Sequence, residues 1–371
     1  MKFTASQADL SYGLQTVAKA VSAKNTLPIL SGILVKGDGS RLHLTATDLE
    51  IGIECTVPAQ VAAEGAIVLP ARYLTEIVRK IPAAMVEVEV DSRNYTAVLR
   101  WDRSQYTIHG FSPEQFPFLP KAAQESGYKL HQNVLRNMIR QTAFAVSHDE
   151  TRPILTGAQL TLRDGQCHLL ATDGVRIAYR RTTMAEPPQG DQSASLVLPG
   201  RTLSELSRLL AANDEDTVDI SITPTQAFFD LGDVRLVSRL LEGQYPDVLR
   251  LVPQTYSTSL TLSAQQLHDA CERASLIARD GSGAIKLGID QERVTITSST
   301  PEVGQVYEEV AATVQGDPLE IGLNPRFVMD GLKALDTDQL LFEFSGNRTP
   351  SRMKPQDRDD FLYVVLPIVV W

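Results

Sequence analysis

Side chains able to act as nucleophiles, metal ligands or proton carriers are thinly spread along this 371-residue chain. The three cysteines, Cys55, Cys167 and Cys271, lie far apart, so they offer no CxxC pair for a metal and no disulfide framework. The six histidines (43, 109, 131, 148, 168 and 268) show no ligand spacing, and Cys167 and His168, as strand neighbours, point to opposite faces. Phosphate-loop, dinucleotide, HExxH and GxSxG patterns are missing, and Gly281-Ser-Gly283 reads only as a loop. Asp357, Asp359 and Asp360 read as a solvated turn. The Ala-Thr-Asp triplets at 46–48 and 171–173 suggest carboxylate chemistry at first sight, but they occupy equivalent strand ends and fit an architectural role better. The expectation is a non-catalytic protein with no catalytic residues, no metal site and no cofactor.

The spacing does offer cations on helices. Net charge is -10, from 35 basic and 45 acidic side chains, and evenly spread it would repel nucleic acid. It is not evenly spread. The six segments that read as helices (6–22, 71–81, 131–147, 200–212, 263–279 and 324–335) sum to +6, which leaves -16 on the rest. Arg136 and Arg140 are spaced i,i+4, while Arg72/Arg79 and Arg201/Arg208 are spaced i,i+7, so each pair shares a helix face. Helical solvent faces carry Arg and Lys in many proteins, but here the positive face recurs in successive copies of a repeat. Such a surface suits phosphates without reading bases, with weak, salt-sensitive affinity.

A long internal repeat positions these helices. Pro28 and Pro153 are 125 apart, as are Asp48 and Asp173, within matching Pro-Ile-Leu and Ala-Thr-Asp motifs. Leu69-Pro70 matches Leu198-Pro199 and Gln115-Phe-Pro matches Gln244-Tyr-Pro, each 129 apart. A fainter third copy runs from Ile285 to Pro367, so three copies of about 124 residues fill the chain. A period this long predicts three domains with their own cores, at 1–124, 125–254 and 255–371. Apolar spacing near 3.6 marks the first helix of each copy, as in Leu10, Leu14, Val17 and Val21. Ser263 with Gln266 has capping-box spacing, and Asn324-Pro325 reads as a cap followed by Pro at the first helical position. Alternating runs such as Val86-Glu-Val-Glu-Val and Val218-Asp-Ile-Ser-Ile read as strands with one wet face. The predicted class is α+β, with antiparallel sheets and two helices per repeat. The apolar end 361–371 is shorter than the ~18 residues of a membrane span, and the start Met1-Lys2-Phe3-Thr4 lacks an apolar signal core, so a soluble cytoplasmic protein is expected.

Two apolar features lack partners. On the helix 263–279, Leu267, Cys271, Ala274 and Ala278 form one stripe, and Leu276 points about 180° away beside Ile277. The tail Val364 to Trp371 is a final core strand or the lining of a groove.

Taken in order, Thr26-Leu-Pro-Ile-Leu30, Thr47-Asp-Leu-Glu50, Leu69-Pro-Ala-Arg72, Phe116-Pro117, Ala171-Thr-Asp-Gly174 with Arg176, Tyr245-Pro-Asp247 and Tyr363-Val-Val-Leu-Pro367 closely resemble the bacterial DNA polymerase III beta subunit family, the sliding clamps. The resemblance covers all three repeats. It implies a head-to-tail homodimer whose six domains form a ring around duplex DNA, with twelve helices lining the hole, and a function as a sequence-independent processivity factor. It implies DNA-facing roles for Lys24, Arg72, Arg136, Arg140, Arg201 and Arg208, and packing of Leu276 and Ile277 against Tyr106 and Ile108 of the other chain. It also implies a cleft for short linear peptides with Gln and Leu/Phe anchors, carried by the replicative polymerase, the clamp loader and repair proteins. The matching positions are Leu155, Thr172, Gly174, Val175, Arg176, Ile177, Pro246, Arg250, Leu251, Val364, Leu366, Pro367 and Ile368, with Arg176 expected at the rim. Tyr106 stands where the family often has Phe, Lys24 where a member carries Arg, and Val175 where some have His. The apolar end Val369-Val-Trp371 predicts a changed peptide preference, with Trp371 touching the cleft. Two other classes compete: a repeat-built scaffold that binds no DNA, and an enzyme with an unrecognised site.

Overall fold

The computed structural model describes residues 1–21, 27–120, 127–186, 193–278 and 283–368. Among these residues are six helices: α1 (Gln7–Val17), α2 (Ala71–Lys80), α3 (Gln132–Thr142), α4 (Gly200–Leu209), α5 (Ala264–Ala278) and α6 (Pro325–Ala334). Their starts follow the side chains before them. Ser6 Oγ accepts from Asp9 N at 3.1 Å, Ser263 Oγ accepts from Gln266 N at 3.4 Å, and Asn324 Oδ1 accepts from Arg326 N at 3.0 Å ahead of Pro325. Two helices are shorter than the apolar spacing predicts, because α1 tightens into a 3-10 turn at Ala18–Ala20 and α3 into one at Ala143–Ala145. At the second break Thr142 Oγ1 donates back to Met138 O at 2.8 Å, a local bond that competes with helix continuation.

The chain divides into two compact units, 1–133 with 205–240, and 134–204 with 241–371, and the division passes through α3 and α4. In the first unit an eight-stranded sheet runs in the order Gly127–His131, Thr217–Ile222, Gln226–Asp230, Val234–Arg239, Ile51–Pro58, Arg41–Thr47, Gly32–Asp38, Gly65–Pro70. A five-stranded sheet ends on Ser104–His109. In the second unit a nine-stranded sheet places Arg176–Thr183 beside Phe361–Val365 at its centre, and a four-stranded sheet ends on Gly304–Ala311. All the pairings within these sheets are antiparallel, which agrees with the predicted class.

Strand alternation sets the core. In the first unit Leu42, Leu44, Ile53, Cys55 and Val57 face α1, which buries Leu10, Leu14 and Val17. Gly13 lets the helix approach closely, since a β-carbon there would lie 2.5 Å from Leu44 Cδ1 and 2.8 Å from Val57 Cγ1, and those side chains would have to shift. In the second unit α5 buries Leu267, Ala270, Cys271, Ala274 and Ala278 and packs against α6. Sheet pairing joins what the repeat treats as separate copies. Val234–Arg239 pairs with Ile51–Pro58, and Phe361–Val365 pairs with Arg176–Thr183, so each joint is made of ladder hydrogen bonds.

Candidate functional site

Two surfaces are built by these elements. The first is the set of basic helix faces. Arg72 on α2, Arg136 and Arg140 on α3, and Arg201 and Arg208 on α4 are all exposed, whereas the predicted contact Lys24 lies outside the described residues. Arg72, Arg136 and Arg140 have no carboxylate within ion-pair distance among the described residues. Arg208 instead pairs with Glu205 at 2.8 Å, and Arg79 pairs with Glu76 at 2.7 Å. The helices bury the opposite faces: Leu135, Met138 and Ile139 on α3, and Leu74 and Val78 on α2. A cation on such a face keeps its stem on apolar surface and its head in water, ready to exchange counterions for phosphates.

The second surface lies in the second unit, around the turn 172–176. Thr172 Oγ1 donates to Arg176 O at 2.6 Å and accepts from Gly174 N at 3.1 Å; Asp173 Oδ1 accepts from the backbone nitrogens of Val175 and Arg176 at 2.9 and 3.0 Å. Gly174 has φ +94°, which the turn needs at that position. The first repeat builds the same turn, with Thr47 Oγ1 donating to Ile51 O at 2.9 Å and Asp48 Oδ1 accepting from Ile51 N at 2.9 Å. The architectural reading of both Ala-Thr-Asp triplets therefore holds.

A buried floor of Leu155, Leu170, Ile177, Val197, Tyr245, Val252 and Val364 supports this turn. Tyr245 crosses beneath it, accepting from Thr172 N at 3.1 Å and donating to Gly157 O at 3.2 Å, and burial pushes its phenol up to about 12. Above the floor stand exposed apolar side chains: Val175, Leu366 and Leu251, the last 66% exposed. Leu366 N donates to Val175 O at 3.0 Å, which fixes the end of the last strand against the turn. Pro246 and Arg250 are exposed on the following segment, where Arg250 pairs with Asp247; Pro367 and Ile368 are half-buried, with Ile368 N donating to Gly322 O at 2.8 Å. The fold thus gathers Leu155, Thr172, Gly174, Val175, Ile177, Val364 and Leu366 into one apolar patch with polar turn atoms at its border. Val369 to Trp371, the expected tail contact, lie outside the described residues.

Arg176 is not at a rim. It is only 7% exposed. Its guanidinium donates to Asp173 Oδ2 at 2.8 Å, Asp330 Oδ2 at 2.7 Å and Phe144 O at 2.8 Å, and stacks over Phe327 at 4.4 Å. The planar fork satisfies three acceptors at once, so Arg176 ties the turn to α6 and to the 3-10 turn after α3. Sequence reasoning missed Asp330, Phe144 and Phe327, whose only signal was apolar or acidic placement on elements far away in the chain. The acidic stretch 357–360 also differs from a free turn. Asp357 and Asp359 are exposed as predicted, yet Asp359 pairs with Lys354, and Asp360 with Arg180 and Arg358.

Leu276 is 60% exposed on α5 and Ile277 half-buried. Tyr106 is exposed and stacks on Trp101 at 5.1 Å, while Ile108 is already buried on the edge strand Ser104–His109. His168 is bonded to Tyr179 rather than turned toward Cys167, which is buried.

Comparison with known proteins is unambiguous over the full chain. Models of the DNA polymerase III beta subunit match in sequence order: the N-terminal domain over residues 1–120, the central domain over 129–247 and the C-terminal domain over 249–369. The chain is 37% identical to the beta sliding clamp of Staphylococcus epidermidis over 378 residues and 36% identical to that of Staphylococcus aureus, covering 99% of both chains in each case. It is similar to the crystal structure of the DNA polymerase sliding clamp from Bacillus subtilis, with TM-score 0.96, 35% identity and full coverage of both chains. The beta subunit from Streptococcus pyogenes matches with TM-score 0.94 and 30% identity, again over both whole chains.

Proposed function

The chain belongs to the DNA polymerase III beta subunit family, the sliding clamps, and on that premise we propose that two copies close head to tail around duplex DNA. Its function is that of a DNA sliding clamp, a non-catalytic processivity subunit built from three clamp domains, and this sets aside both the scaffold and the enzyme alternatives. The finer reading divides those domains at 1–124, 125–254 and 255–371.

The observation that carries the assembly is the pattern of sheet joints. Each repeat joins the next by pairing one strand of the first with the final strand of the second: Ile51–Pro58 with Val234–Arg239, then Arg176–Thr183 with Phe361–Val365. By the same repeat positions, Gly304–Ala311 and Ser104–His109 should form a third joint, yet each is a sheet edge within the chain. A second copy supplies both missing partners, and two such joints pair both of these edges and close the ring. Leu276 and Ile277 then pack against Tyr106 and Ile108 of the second copy.

In this ring Lys24, Arg72, Arg136, Arg140, Arg201 and Arg208 face the DNA. Retention comes from enclosure rather than from affinity, so weak phosphate contacts suffice and let the duplex slide, and the acidic remainder of the chain discourages binding elsewhere. The apolar patch around the turn 172–176 takes short peptides bearing Gln and Leu/Phe anchors. Leu155, Thr172, Gly174, Val175, Ile177, Pro246, Arg250, Leu251, Val364, Leu366, Pro367 and Ile368 offer contacts, with Arg176 holding the turn from below. The partners are the replicative polymerase, the clamp loader and repair proteins. The place of work is the bacterial cytoplasm, on the nucleoid at replication forks. The test is to load the protein onto nicked circular plasmid with clamp loader and ATP, then linearise the DNA in moderate salt. Loss of the protein on linearisation supports enclosure; retention on the linear DNA, with loading verified, overturns it.

A further inference from the structure

The first repeat builds the same turn as the second and, next to it, a cavity of about 320 Å³ lined by Thr47, Leu49, Gly52, Phe118, Leu119 and Val237 among others. Each wall has a counterpart at the peptide patch. Thr47 corresponds to Thr172, Leu49 to Gly174 and Gly52 to Ile177; the strand carrying Val237 corresponds to that carrying Val364, and the segment after Phe116 to that after Tyr245. Three differences set the first groove apart. Leu49 occupies φ +77°, a left-handed position that its counterpart leaves to glycine, and its side chain is exposed beside the cavity. Gly52 leaves bare the sheet position that Ile177 covers in the second repeat. Into that space comes Leu119: a β-carbon on Gly52 would lie 2.4 Å from Leu119 Cδ2 and 2.9 Å from Val237 Cγ1.

We propose that this groove is a second apolar-anchor site whose anchor position over Gly52 is taken in cis by Leu119 of the chain's own connecting segment, the cavity staying open beside it. The segment is pinned upstream by Phe116, buried against Ile29, Leu30 and Val68, so Leu119 is delivered to the groove at high effective concentration. It also presents Phe118, 97% exposed, directly beside the seated Leu119. An aromatic next to an aliphatic anchor is the same chemistry as the peptide class assigned to the second-repeat cleft, on which reading this inference rests. A chain whose first anchor position is self-occupied offers one peptide site rather than two.

The test is the number of peptides bound per chain, measured by titration calorimetry on the full-length protein with a synthetic peptide containing a Gln and a Leu-Phe pair. The wild-type chain should bind one. Leu119→Ala frees the anchor position and should bind two, and a block of the second-repeat cleft by Leu366→Asp should leave one site in the Leu119→Ala background and none in the wild-type background. Leu119→Asn removes the apolar anchor with a smaller change in volume, and should raise the count in the same way if the Leu119→Ala chain does not fold. A count that stays at one in both variants, or a wild-type count of two, overturns the inference. If the wild-type chain binds no peptide, the second-repeat cleft assignment fails by itself; a site then gained on Leu119→Ala keeps the first groove, and none gained sinks both.

Discussion

Truncation of Leu276 to Ala is expected to weaken the dimer without weakening the chain. Leu276 is 60% exposed on the face of α5 opposite Leu267, Cys271, Ala274 and Ala278, which are buried to 1% or less. Burying a whole Leu side chain contributes about 1.5 to 3 kcal/mol, so covering the exposed portion at a joint contributes about 1 to 2 kcal/mol. A closed head-to-tail dimer contains the joint twice. The loss is therefore about 2 to 4 kcal/mol, or roughly 30- to 1,000-fold in the dimer dissociation constant. Leu276→Asp should exceed that, because it also places a charge against Tyr106 and Ile108 of the second copy. Sedimentation velocity over a dilution series measures the constant, and thermal unfolding under dissociating dilution checks the chain, whose midpoint should hardly move because the core is untouched. A dimer constant within threefold of wild type for Leu276→Asp would refute the joint as described.

Reversal of Arg136 and Arg140 to Glu should lower affinity for duplex DNA and flatten its salt dependence by about 0.9 in log–log slope for each phosphate no longer neutralised, read by fluorescence anisotropy across a salt series. Arg176→Met should destabilise the second unit by about 3 to 5 kcal/mol, since it leaves Asp173 and Asp330 without their shared cation, and chemical denaturation followed by fluorescence reads the loss. Burial pushes the thiols of Cys55, Cys167 and Cys271 up to about 11, 12 and 12, against an ordinary value of 9.0. The folded chain thus keeps protons that the unfolded chain releases above about pH 9, so stability is intact below that pH and falls above it, by up to about 1.4 kcal/mol per pH unit for each thiol. Denaturant midpoints at pH 8, 9 and 10, compared with a triple Cys→Ala chain, isolate this slope.

Much of the site can be read residue by residue because local chemistry writes it. The Thr-Asp turns follow from side chains that bond backbone two to four residues on, and the helix caps from Ser6, Ser263 and Asn324, each satisfying a nitrogen within one turn. The cationic helix faces follow from spacing alone, because α2, α3 and α4 keep the apolar stripe that orients them. Arg176 escapes such reasoning for the opposite cause. A motif position says which turn the residue belongs to, but not that Asp330 and Phe144 stand close enough to draw its guanidinium inward. The same holds for Gly52: beside its turn it reads as a plain strand residue, and only the approach of Leu119, 67 residues later, gives its missing side chain a meaning.

Sequence by itself determined the repeat, the antiparallel α+β class, the segregation of charge and the lack of recognisable catalytic motifs, since each is carried by periodicity or by neighbours in the chain. The tertiary structure decided which strands meet across the repeats, which cations stay unpaired and which apolar side chains remain uncovered. Those are contests between groups distant in sequence, settled by packing: Val234–Arg239 finds Ile51–Pro58, Glu205 takes Arg208 while Arg136 and Arg140 stay free of any carboxylate among the described residues, and Leu276 is left facing water on a helix whose other side is full.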